Sequence, residues 1–143
     1  MDKTTREKID DLYNAMQGVI GTHDFSTNTK QILDIPPDMC PQWVTGMVIP
    51  AKAVVQYKGV KYYCATGATA QAHFPPDGQG LEAVYKPYTD SECKEWIYNE
   101  YVESGWKRTY SGKTYEVYNT GGGALLNNLY APNLNPANWK VIS

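Results

Sequence analysis

Two histidines, three cysteines and a crowded run of carboxylates are the residues of this 143-residue chain that could do chemistry. His23 and His73 stand outside any nucleophile elbow, and no phosphate-cradling loop or metal-ligand spacing accompanies them. Asp90, Glu92, Glu95, Glu100 and Glu103 fall within one short segment. Glycoside hydrolysis needs two carboxylates placed across a cleft, whereas a run of this kind reads as a solvated face. Gly121-Gly122-Gly123 has the flexibility of a phosphate loop without its Lys and Ser/Thr. Cys40, Cys64 and Cys93 are odd in number and contain no C-x-x-C pair, so they read as reduced thiols, mostly buried. A non-enzymatic protein with no catalytic residue, metal or cofactor is the expectation.

The composition points to contact surfaces. Twelve Tyr and four Trp stand against two Phe, and rings with a polar handle suit places where one end is packed and the other is wet. The same rings also serve as the core of a small β protein, and composition leaves both uses open. The formal net charge is −2 and the basic residues are scattered, which argues against a nucleic-acid partner. No apolar run is long enough for a membrane span, and the first eleven residues lack a signal-peptide core, so synthesis in the cytosol is expected.

Positioning falls to three kinds of element. Thr4 with Glu7 forms a capping box, and apolar residues follow at Ile9, Leu12, Tyr13, Met16, Val19 and Ile20. This predicts a helix over 1–21, ended by Gly18 and Gly21. Its Ile9, Leu12, Met16, Val19 stripe has heptad spacing and would seat a homo-oligomer or a docking partner, although packing on the protein's own β body is the commoner fate of such a stripe. Residues 22–39 read as a polar linker that docks locally through Ile32, Leu33 and Ile35. From Cys40 onward, short aromatic alternations broken by Gly and Pro predict strands and tight turns.

The chain repeats itself. Cys40-Pro41-Gln42-Trp43 reappears as Cys93-Lys94-Glu95-Trp96, and the same shift of 53 residues takes Tyr57, Gly59 and Tyr62 to Tyr110, Gly112 and Tyr115. Each copy ends in a Gly, Asn or Pro rich loop leading to an aromatic, Tyr85 in the first and Trp139 in the second once one residue is inserted. The expected fold is mainly β behind an N-terminal helix. It contains two small antiparallel units, 40–88 and 89–143, each a three-stranded hairpin closed by an aromatic loop. Trp43, Tyr57, Gly59, Tyr62, Trp96, Tyr110, Gly112 and Tyr115 are expected to form the structural core of the repeats. Trp106 follows Gly105 where the first copy has Ala53, so its ring is expected to be exposed.

The first copy carries a pattern formed by Trp43, Val55, Tyr57, Gly59, Tyr62 and Cys64, then Thr69, Gln71, Ala72, Phe74, Pro76 and Asp77. It resembles the carbohydrate-binding-module-like domain, related to the chitin-binding modules of chitinases, that recurs in tail and fibre-associated proteins of bacteriophages and prophages. The second copy departs from it, with Arg108 at the strand valine and the T-x-Q-A-x-F-x-P-D segment gone. The aromatic pair of the chitin-binding relatives corresponds here to Thr66 and Gly67, and only Tyr118 lies near the equivalent place in the second copy. The resemblance implies a virion protein that recognises host-surface polysaccharide, or one whose modules dock other virion proteins. The candidate ligand-binding rings are Trp106, Tyr118, Tyr130, Trp139, Tyr85 and Tyr88.

Overall fold

A computed structural model describes residues 4–143, with Tyr13 described by its backbone alone. The chain is mainly β with an N-terminal helix and several small antiparallel sheets. It divides into two compact units, one ending at Tyr85 and the other running from Lys86 to Ser143.

In the first unit, helix α1 spans Thr5–Thr22, one residue beyond the expected end, and the Thr4 hydroxyl accepts the Glu7 N–H as its cap. The stripe does not pack on the β body: Ile9, Leu12, Met16 and Val19 are 42% to 66% exposed. The helix docks instead through its C-terminal turns. Gln17 donates to the Asp38 carbonyl, and a Cβ at Gly21 would lie 2.6 Å from the Pro41 ring, so the small residue permits the close approach. The segment after the helix is built into the fold more firmly than a linker, because Phe25 and Ile32 are buried and the buried Lys61 ammonium donates to the Ile32 carbonyl.

Strands β1 (Val48–Ile49), β2 (Ala53–Tyr57), β3 (Val60–Cys64) and β4 (Ala68–Thr69) follow, and β5 (Tyr85–Tyr88) carries the chain into the second unit. The hairpin β2–β3 turns at Lys58 and Gly59, both at positive φ, as a two-residue turn of this hand requires. Strand β1 pairs antiparallel with β4. Trp43, Ile49, Val55, Tyr62, Cys64, Ala70 and Tyr85 form the core, and the Trp43 indole N–H donates to the Tyr85 hydroxyl at 3.3 Å. Burial pushes the Cys40 thiol up to about 11 and raises that of Cys64, while Cys93 is exposed.

The second unit contains β6 (Lys94–Glu95), β7 (Val102–Glu103), β8 (Lys107–Tyr110), β9 (Lys113–Val117), β10 (Ala124–Leu125) and β11 (Trp139–Val141). Its internal order follows that of the first unit. β8–β9 is the hairpin, turning at Ser111 and Gly112 with φ of 51° and 79° against 52° and 77° at Lys58 and Gly59. β7 pairs with β10 as β1 does with β4. The Trp-led segment runs parallel to its neighbour in both units, Gln42 beside Gln56 and Glu95 beside Thr109, so the expectation of purely antiparallel pairing is corrected there. Ala65 N–H donates to the Val84 carbonyl in one unit, and Tyr118 N–H to that of Asn138 in the other. The second core gathers Val102, Tyr115, Val117, Leu125 and Trp139, with Trp96, Trp106 and Tyr110 half-buried against it.

One exchange separates the two units. Met47 packs against the first core, which contains Val55. At the same shift of 53 residues stand Glu100 and Arg108, both with no exposed surface and joined by an ion pair at 2.9 Å. Arg108 also donates to the carbonyls of Asp90, Glu92 and Lys107. A buried pair survives only with its remaining hydrogen-bonding groups satisfied, and this one is.

Candidate binding groove of the second unit

Strand β9 ends at Val117, and the next residue, Tyr118, comes to face the loop that precedes β11. That loop is stiffened by a short 3-10 turn at Pro132–Leu134 and by its asparagines. Asn138 donates to the carbonyls of Tyr118 and Asn119 at 3.4 and 3.2 Å, and Asn119 donates to that of Ala137 at 3.3 Å. The Tyr118 hydroxyl donates to the Pro136 carbonyl at 2.5 Å, which fixes the ring. Between the loop and the strands lies an open groove of about 490 Å³, walled by Tyr115, Tyr118, Pro132, Pro136 and Trp139. Asn133, Lys113, Lys140 and Val141 complete its lining. The volume lies within the range of small-ligand sites, and rings and prolines beside a few polar groups are what such sites combine. The Lys140 ammonium sits 5.7 Å from the Tyr118 ring centroid and 3.1 Å from the Glu116 carboxylate.

The six candidate rings separate. Tyr130 is exposed and Tyr118 half-exposed. Tyr85 and Tyr88, each 3% exposed, and Trp139, 2% exposed, are core residues, which corrects their assignment as ligand contacts: a unit this small needs its largest rings inside. Trp139 still backs the groove wall. Trp106 is no free platform either. It packs against the second core, lies edge-on to Tyr101 at 6.1 Å between centroids, and carries the Arg108 guanidinium 5.3 Å from its ring. Of the rings expected inside, Trp43, Tyr62 and Tyr115 are buried, whereas Tyr57, Trp96 and Tyr110 are half-buried, the tyrosines lying edge-on to Trp43 and Trp96. The prolines and asparagines of the groove were missed because their role depends on a loop that doubles back onto a strand end. Their one signal in the sequence is the density of Pro and Asn between residues 132 and 138.

The carboxylate run is not one solvated face. Glu100 is buried on Arg108, and Asp90 pairs with Lys94, which holds its carboxyl below the usual carboxylate range. Glu95 accepts from Thr109, and Glu103 from the Tyr101 hydroxyl. The first unit has its own apolar pocket of about 220 Å³, bordered by Phe74, Leu81, Val84 and Tyr85. Among the described residues, no helix is long and apolar enough to cross a membrane, and no group of three or more His, Cys, Asp or Glu is placed to hold a metal ion. No protein-family model matches the chain, and no curated protein matches it.

Proposed function

We propose that this is a non-enzymatic binding protein whose duplicated β units present a saccharide-recognition surface, the second unit's groove being the site. More particularly, it is a bacteriophage virion accessory protein, tail or fibre-associated, that recognises host cell-surface glycans. The observation that carries the reading is the groove itself: a ring fixed by its own hydroxyl, flanked by proline faces and an asparagine amide, suits the alternating apolar and hydroxyl-bearing faces of a sugar. The engagement of Glu100, Asp90, Glu95 and Glu103 in structural contacts supports a role without catalysis. The test is binding of the purified chain to a glycan array and to isolated bacterial cell wall. Tyr118→Ala is expected to weaken binding about tenfold while the chain still folds, with a stability loss of about 1 kcal/mol from the bond to Pro136. Undiminished binding by the variant would place the site elsewhere.

A second reading is favoured by the exposed stripe of α1: a purely structural virion protein whose modules dock other phage proteins or further copies of itself through Ile9, Leu12, Met16 and Val19. If the stripe self-associates, Leu12→Glu is expected to convert an oligomer to monomer in sedimentation velocity, with the β signature of the circular dichroism spectrum retained. A wild-type chain that is monomeric throughout the micromolar range would remove self-association from this reading.

A further inference from the structure

We infer that the groove of the second unit selects acidic saccharides, sugar rings that carry an anionic group, over their neutral counterparts; this rests on the reading of the groove as a saccharide site. Among the described residues, the charged side chains in its lining are two lysines, Lys113 and Lys140, and the carboxylate paired with Lys140, that of Glu116, stands outside the lining. Lys113 is exposed at the start of β9 and has no ion-pair partner among the described residues. Lys140 is held over Tyr118 by Glu116, the residue opposite it in the β9–β11 register, so this ammonium is fixed beside the ring on which a sugar would stack.

The hydrogen-bonding inventory points the same way. The Tyr118 hydroxyl has already given its proton to Pro136, so its oxygen is left as an acceptor, and the groups of the lining that can still donate include the two lysine ammoniums and the Asn133 amide. A lining whose charged groups are ammoniums is matched by a ligand that carries negative charge, and a carboxylate or phosphate on a sugar ring supplies acceptors with that complementary charge. The chain as a whole carries a net charge of −2, so the attraction is a property of this groove and not of the molecule.

The test uses paired probes on the full chain, read by calorimetry: oligomers of galacturonate, mannuronate and hyaluronan, each beside its methyl-esterified or carboxyl-reduced neutral form. Poly(glycerol phosphate) serves as an anion without a sugar ring, and an N-acetylglucosamine hexamer as a neutral oligosaccharide. At least one acidic oligomer is expected to bind about tenfold tighter than its neutral form, with the preference shrinking as salt is raised. Lys113→Gln is expected to cut that preference roughly fivefold, and Tyr118→Ala to weaken both forms together. Acidic and neutral forms binding equally, or the hexamer alone binding in a Tyr118-dependent way, overturns the acidic preference and leaves the saccharide site standing. Binding of poly(glycerol phosphate) as tightly as any acidic sugar overturns the preference in favour of simple anion capture. Absence of binding to every saccharide overturns both.

Discussion

Replacing Glu100 by Met is expected to lower the unfolding free energy of the second unit by about 3–5 kcal/mol, because it strands the Arg108 guanidinium in a site with no exposed surface. Backbone carbonyls of Asp90, Glu92 and Lys107 would still accept from it, but the carboxylate paired directly with it would be gone. The informative partner is the double variant Glu100→Met, Arg108→Val, which writes the Met47 and Val55 of the first unit into the second. An apolar pair of this kind replaces a buried ion pair at little net cost, so the double variant is expected to recover to within about 2 kcal/mol of the parent. The remainder is the space left by a side chain smaller than arginine and the loss of the donors that hold the 90–92 segment. Urea unfolding followed by tryptophan fluorescence measures both. A double variant no more stable than Glu100→Met would mean that the correspondence between the units does not extend to the energetics of their cores.

Trp139 is the second site where a large effect is expected, and where two substitutions should part company. Trp139→Ala removes the largest fully buried side chain of the unit, for a loss of about 3–5 kcal/mol. Trp139→Phe should cost far less. The Trp139 indole N–H is the one buried side-chain polar atom without a hydrogen-bond partner among the described residues, and removing an unsatisfied donor returns part of what the smaller ring loses. Trp43→Phe in the first unit is the control, since that indole N–H has the Tyr85 hydroxyl as acceptor and the substitution forfeits the bond. We expect Trp139→Phe to be milder by about 1 kcal/mol in the same unfolding assay. The asymmetry has a structural origin: in the second unit, Trp139 stands where Tyr85 closes the first, and Trp96 donates to the buried Asn128 at 2.8 Å instead. A Trp139→Phe variant as damaged as Trp139→Ala would show that the indole shape, and not its polar group, governs the site.

The helix, the two hairpins and the duplication were legible in the sequence because each rests on local rules. Thr4 and Glu7 cap the helix through a bond three residues apart. Gly59 and Gly112 mark turns whose backbone hand disfavours most other residues, and both sit at positive φ. A shift of 53 residues is arithmetic on residue types, and it carried the pairing pattern of the strands with it. Which rings face water was not legible. Tyr85, Tyr88, Trp106, Tyr118, Tyr130 and Trp139 are alike in type, and only the return of the chain onto its own strands buries some of them and leaves Tyr118 beside a groove. The same holds for charge: Glu100 looks like any member of a surface run until the fold brings Arg108 onto it. Sequence by itself thus determined the elements and their repetition, which depend on neighbours a few residues apart. Tertiary structure decided burial, ion pairing and the groove, which depend on groups brought together across long stretches of chain.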